Sequence, residues 1–306
     1  MQAKTIPARI NLIIATGVVT VAVSLLWLAS NLDLIWSIPL GVVYSFVLLT
    51  NYALMHEATH DVLHPNPRLN ALIGMSLSWL FPMSFTVFKV SHVVHHCCNR
   101  TDHEMFDCFY LKDKKIIKYI QWYGLLTGLW WPLIPIGNIL LAIQPRLLRT
   151  RPFQQARTTA VLFNHYDPKL TLRLRLEVIS GLVFWVVLIT SLNIRLETLA
   201  ICYAFFSINW STRQYVTHAF SVRDVKNGAH NLKVSRPMAW LLLQGQWDLV
   251  HHQHPHVSWI QLAELGAQSR RPISYIKQYL RLWKGPQLCT EQGPAILPHS
   301  DYQAMH

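Results

Sequence analysis

Read from charge to charge, the chain contains six long uncharged runs, at residues 10–32, 34–55, 69–88, 119–145, 178–194 and 198–212. A bilayer core of about 30 Å needs about 20 helical residues, so the first two runs are long enough to cross it outright. Ser30, Asn31 and Asp33 mark a tight turn between them, which predicts a transmembrane hairpin. The runs at 178–194 and 198 to about 220 predict a second hairpin, turning at residues 195–197. The run at 69–88 carries Pro82, and that at 119–145 carries Pro132, Pro135 and Gly137. Proline interrupts helices, so these two are expected to be interfacial or re-entrant segments, with full spans as the alternative. The predicted fold class is therefore all-α: a polytopic membrane bundle of about four transmembrane helices with re-entrant or interfacial helices.

Basic residues orient this bundle. Lys4 and Arg9 precede the first run, whereas Asp33 alone separates the first two; Arg146, Arg149, Arg151, Arg157, Lys169, Arg173 and Arg175 crowd one later loop. By the positive-inside rule both termini and that loop are cytosolic. The first run is too long for a signal-peptide core and lacks a small-residue cleavage site after it, so it is read as a mature helix. No repeat or linker marks a second domain. Residues 1–284 form one unit and residues 285–306 a polar, proline-containing tail that is expected to be mobile.

Composition narrows the class. Only 14% of the 306 residues are charged and 52% are hydrophobic, against roughly 25% charged in average soluble domains. Six apolar runs in so sparsely charged a chain leave too little polar surface for a soluble core. The net charge of +12 admits nucleic acid, anionic lipid or an acidic protein as partner; the position of the basic residues at predicted membrane boundaries makes it chiefly a statement of topology, and nucleic acid is set aside. Cys97, Cys98, Cys108, Cys202 and Cys289 show no CxxC spacing and read as reduced thiols. Cys97 and Cys98 adjoin histidines, but neighbouring residues on a helix face different ways, which disfavours a shared metal.

The 16 histidines are spaced rather than scattered. His56 and His60, in His-Glu-Ala-Thr-His, stand four apart, which on a helix places both imidazoles on one face. His92, His95 and His96 offer three imidazoles at one helix end. His251 and His252 follow Asp248. Ionisable groups at membrane helix ends are costly and tend to mark function. If at least seven imidazoles from distant segments converge, a metal is the reason, and since one zinc takes no more than four ligands, two ions are implied. His218, with Gln214 one turn before it, stands at the cytosolic end of the last run and joins the candidates.

These elements, HEATH, HVVHH and DLVHHQHP, resemble the three histidine boxes of the membrane fatty acid desaturase superfamily, which also contains hydroxylases, ketolases, alkane hydroxylases and alkene-forming decarboxylases. The resemblance covers residues 51–259. It implies two non-haem irons at the cytosolic face, held by His56, His60, His92, His95, His96, His251 and His252 in a histidine-rich cap. It matches His218 to an additional ligand and Gln214 to an amide that holds water. The third box departs from the pattern, because Asp248 stands where a histidine or glutamine is usual; Asp248 either binds iron or orients His251 or His252. His64 is a spare ligand or a turn residue before Pro65. Asp102, in the acidic stretch after the second box, is expected to support a ligand, whereas His254 and His256 are read as structural.

Imidazole ligands suit iron, and redox-active iron, rather than zinc, is what the oxidation of an unactivated C–H bond needs. The expected activity is O2-dependent oxidation of a lipid acyl chain, most directly desaturation, with hydroxylation, ketone formation or alkene-forming decarboxylation as the alternatives. The chain carries no His-Pro-Gly-Gly element, iron–sulfur cysteine set or GxGxxG motif, so electrons are expected from a separate ferredoxin-, rubredoxin- or cytochrome b5-type protein. A non-enzymatic metal transporter would call for midplane acidic ligands or a histidine-rich loop without helical spacing, and neither is evident in the sequence.

Overall fold

The computed structural model describes residues 6–151, 166–269 and 271–304; Lys4 and Arg157, two of the basic residues used to orient the chain, lie outside them. Among the described residues the fold is helical, with only four strands, each of two residues. Helix α1 (Ala8–Asn31) buries Asn11, Ala15, Val18, Ala22, Leu26 and Ala29. Their i, i+3/i+4 spacing forms one seam, and its small residues let α2 (Ser37–Thr59) approach closely. The outer face of α1 is apolar too, exposing Ile13, Val21 and Trp27. An all-round apolar helix belongs in lipid. By length and hydropathy, Ala8–Asn31 and Leu34–Thr59 are each able to cross a membrane.

The third uncharged run breaks where Pro82 falls. Helix α3 (Pro67–Leu80) and helix α4 (Phe85–Cys98) meet at 98°. Asn66 caps α3 by accepting from the Arg68 and Leu69 amides, with Pro67 in the first turn. Ser84 caps α4, accepting from Val87 N at 3.2 Å. The buried carboxylate of Glu177 also lies at this helix start, accepting from Ser84 Oγ at 2.6 Å, Thr86 N at 2.8 Å and Thr86 Oγ1 at 2.8 Å. A carboxylate suits the positive end of a helix. The fourth run likewise divides, into α5 (Lys115–Leu126) and α6 (Leu133–Ile143), at Gly128 with φ +73°. A side chain there would be strained and would meet the Ser207 backbone at 2.6 Å.

Glu177 belongs to α7 (Thr171–Leu192), which reverses through left-handed Asn193 into α8 (Leu196–Val216). The two reversals, α1 to α2 and α7 to α8, lie together: Arg195 Nη2 donates to Ala29 O at 2.8 Å and Leu32 O at 2.7 Å, and the Ser37 and Thr198 hydroxyls are 3.2 Å apart. From that end α2 and α8 run side by side. Gly41 permits their contact, since a Cβ there would sit 2.9 Å from the Phe205 ring and 3.4 Å from Cys202 Cα. The main core between these helices is built on Tyr44, Leu48, Met55, Leu77, Phe81 and Phe206.

At the opposite end short helices gather: α9 (Arg236–Leu241), α10 (Asp248–Gln253), α11 (Trp259–Ala267) and α12 (Tyr275–Leu282). Parallel two-residue pairs join β1 (Cys108–Phe109) to β4 (Gln287–Leu288) and β2 (Leu232–Lys233) to β3 (Ile273–Ser274). The tail, expected to be mobile, is instead packed. Leu297 N donates to Cys97 O at 2.9 Å, and Tyr302, in α13 (His299–Ala304), is 2% exposed. Its polar composition hides a few apolar side chains, Leu297 and Tyr302, that cover the end of α4 beside Val94, Cys97 and Cys98.

Candidate metal centre

The histidines reach one place from four segments of the chain. Helix α2 brings His56 and, at its C-cap, His60; the last two turns of α4 bring His92, His95 and His96; α10 brings His251 and His252; and His218 lies just beyond α8. They fall into two sets. In the first, ligand atoms of His56, His60, His92, His96 and His251 all lie within 4.8 Å of one another; in the second, those of His95, His218 and His252 do. The sets adjoin, with the His96 and His252 rings 4.5 Å apart. His64 is not brought in. It stays in the turn before α3, where its Nδ1 accepts from Asn66 N at 3.0 Å.

Within the first set Nε2 of His92 is 2.7 Å from that of His60 and 3.0 Å from that of His96, which is 3.1 Å from that of His251. Several buried imidazole nitrogens converging on a shared space is a donor arrangement suited to a cation. In the second set the tautomers can be read. His218 Nδ1 lies 3.3 Å from Gly228 O, a carbonyl that can only accept, so Nδ1 carries the proton and Nε2 presents a lone pair. Burial pulls His218 down to about 3, so the ring is neutral. That lone pair faces Asp248 Oδ2 at 3.1 Å, and the oxygen has no hydrogen-bond partner. Two acceptors facing each other under cover call for a positive charge at that place. His252 Nδ1 is also buried without a partner. Burial, reinforced by neighbouring imidazoles, holds His251 and His252 well below the usual imidazole range, leaving them neutral as metal ligation requires. The residues present therefore fit a bound metal.

Supporting contacts surround these nitrogens. His95 Nδ1 is 2.7 Å from Glu104 Oε2, an arrangement that fixes the ring and leaves Nε2 to its set. Glu104 was legible only as a member of the acidic stretch at residues 102–107. Asp102, expected to support a ligand, accepts from Arg223 Nη2 at 2.6 Å and Tyr110 Oη at 2.7 Å. Asp107 is also occupied elsewhere, binding Arg100 Nη1 at 2.7 Å and Phe220 N at 2.5 Å, which secures the chain just after His218. Tyr302 Oη lies 3.4 Å from His60 Nδ1, and its ring centroid is 5.6 Å from that of His96. No sequence signal pointed to Tyr302.

A cavity of about 330 Å³ opens onto the histidines. Leu49, Phe81, Phe88, Ile134, Trp210 and Leu243 give it an apolar wall, and Gln214, Arg213 and Asp248 a polar one. Gln214 Oε1 accepts from Tyr52 Oη at 3.2 Å. An apolar chamber ending on a nitrogen-rich cation site suits a hydrocarbon chain that is to be oxidised where it meets the metal.

The family profile described as fatty acid desaturase matches residues 33–284. The chain belongs to the fatty acid desaturase family. No curated protein sequence matched it. Membership makes the protein a membrane oxidoreductase of a family that acts on lipid acyl chains, and the histidine sets fit a di-iron oxidase of that superfamily. The matched region contains all three desaturase-type boxes, whereas Tyr302 lies beyond it.

Proposed function

We propose that this desaturase-family chain is an O2-dependent di-iron oxidase of a lipid acyl chain, and that its reaction is desaturation. The observation that carries the reading is the convergence of eight histidines in two adjoining sets, six of which line a largely apolar cavity. One iron would be held by His56, His60, His92, His96 and His251, the other by His95, His218 and His252 with Asp248 at its edge. Iron bound there supplies the O2 activation that an unactivated C–H bond demands.

The chain's own residues do the rest. Leu49, Phe81 and Trp210 exclude water and hold the acyl chain; Glu104 and the Gly228 carbonyl fix the two imidazoles they touch; Tyr52 holds the Gln214 amide at the polar wall. Desaturation removes two hydrogens from the chain and, with two electrons and two protons from a donor, converts O2 into two waters. Hydroxylation uses the same electrons and oxidant but inserts one oxygen, so the way the chain is held selects between them. The electrons come from a separate ferredoxin-, rubredoxin- or cytochrome b5-type protein.

We place the protein in the membrane with four spans, α1, α2, α7 and α8, and with termini and metal centre on the cytosolic side. Support comes from the 22 and 21 residues of α7 and α8, the apolar residues that α7 exposes, including Ile179, Val183 and Val186, and the shared location of the two reversals. Residues 1–284 constitute the catalytic unit, to which the tail at 285–306 is attached.

Metal analysis of purified protein joined to lipid profiling tests the reading. The expected result is close to two irons per chain and an unsaturated acyl product that appears only when the protein and oxygen are both present. A hydroxylated, ketone or terminal-alkene product would move the reaction within the superfamily, and zinc in place of iron would overturn the oxidase reading.

A further inference from the structure

The polar lining of the cavity contains a cation, Arg213, that makes no hydrogen bond or ion pair among the described residues. Other arginines around the centre are engaged: Arg100 with Asp107 at 2.7 Å, Arg223 with Asp102 at 2.6 Å, Arg173 with Glu177 at 3.0 Å, and Arg175 with Ala142 O at 2.8 Å. Arg213 lines the cavity. Among the described residues its guanidinium makes no hydrogen bond and has no carboxylate within ion-pair distance, yet none of its nitrogens is sealed off from space. Asp248 is nearby, but one of its oxygens faces His218 and the carboxylate is hydrogen-bonded by Thr217. Arg213 is partly buried, an unpaired charge withdrawn from water is costly, and a guanidinium offers five donors in a fork that fits a carboxylate.

The surroundings sharpen the choice of ligand. Gly245 lies against Arg213, since a Cβ on it would be 3.4 Å from Nη2. The residues just before it, Leu243 and Gln244, have φ of +43° and +58°, a conformation that non-glycine residues rarely hold. This strained turn leads in three residues to Asp248, which faces His218 of the second histidine set. Gln214 accepts from Tyr52 through Oε1, which leaves its amide NH2 as a further donor on the same wall. Cations bound by the two histidine sets would add positive charge at this end of the cavity, beside the carboxylates of Asp248 and Glu104. The polar lining is therefore a place for an acceptor with negative charge, and the apolar lining of Leu49, Phe81, Ile134 and Trp210 is a place for hydrocarbon.

We propose that Arg213 anchors the carboxylate of a free fatty acid, with Gln214 as a second donor, so that the acid end of the substrate lies beside the metal centre. This rests on the acyl-chain reading of the cavity and names its substrate class: an unesterified carboxylic acid, in preference to an ester or a hydrocarbon. Arg213 acts here as a specificity-determining residue.

Equilibrium binding to the full-length, iron-loaded protein in lipid nanodiscs, without an electron donor so that no turnover occurs, tests it. The probes are palmitic acid, methyl palmitate and hexadecane, each competing against a spin-labelled fatty acid. The acid is expected to bind about ten- to a hundredfold more tightly than the ester, as one charge-assisted pair warrants. Arg213→Met should abolish that preference while leaving iron content unchanged, and Arg213→Lys should retain part of it. Equal binding of acid and ester by the wild type overturns the proposal whatever the variants do, as does an Arg213→Met protein that still prefers the acid. The iron content of the same samples reports separately on the di-iron reading: a clear acid preference without iron supports the anchor while refuting the oxidase.

Discussion

The approach of His218 Nε2 to Asp248 Oδ2 at 3.1 Å is the sharpest residue-scale evidence for a bound cation, because Nδ1 of His218 is taken up by Gly228 O and the carboxylate oxygen has no hydrogen-bond partner. Asp248→Ala should therefore lose metal from the second set whereas Asp248→His should keep it, as read by iron per chain; equal iron in wild type and Asp248→Ala would remove the carboxylate from the centre. His95→Ala and His252→Ala should each abolish activity while still inserting into membranes, and an active His95→Ala would sink the site assignment. The neutral imidazoles also set a pH dependence. His218, depressed to about 3, and His251 and His252, depressed by burial, bind fewer protons folded than unfolded. Their contribution to stability is then fully present above the unfolded value of about 6.5 and is lost as pH falls through the folded values. Thermal unfolding of the metal-stripped protein in detergent should show Tm falling steadily from about pH 7 to about pH 4, and a flat profile would contradict buried neutral rings.

At the scale of elements, α4 carries three of the clustered histidines and is held at both ends. Glu177 of α7 fixes its start through three hydrogen bonds, and the C-terminal segment covers its end through Leu297, Tyr302 and the Cys97 carbonyl. Glu177→Ala should lower stability by about 3 kcal/mol, since it strips buried donors of a charged acceptor; a Tm shift within error would show that α4 does not depend on this clamp. Truncation after Gln292 removes Leu297 and Tyr302 from the histidine sets, and iron should then be lost to a chelator faster than from the full chain. Unchanged loss would reduce the tail to a cover. Helix positions were legible because apolar runs and Pro82 act locally. The anchoring of α4 was not, because Glu177 and Tyr302 lie far from it in sequence and nothing in their own neighbourhoods distinguishes them.

For the whole molecule, the four-span arrangement predicts that Asp33→Cys and Glu197→Cys react with an impermeant thiol reagent from one face of sealed vesicles and Lys284→Cys from the other; all three from one face would refute it. Most of the clustered histidines are legible in the linear order of residues, since the spacings at His56 and His60 and at His92, His95 and His96 are short-range properties of a helix. Distribution between the two sets is not. His95 and His96 are sequence neighbours, as are His251 and His252, yet each pair is divided between the sets, because successive residues of a helix point about 100° apart. Similarly, the acidic stretch after the second box suggests Asp102, whereas Glu104 meets His95 and Asp102 meets Arg223. An apolar helical chain with imidazoles at its helix ends follows from local pattern alone, since hydrophobic length and helical period need no distant partner. Which nitrogens share an ion site, which carboxylate supports them and that Arg213 faces the cavity unpaired are settled by folding, because those facts depend on contacts between segments that the linear order keeps apart.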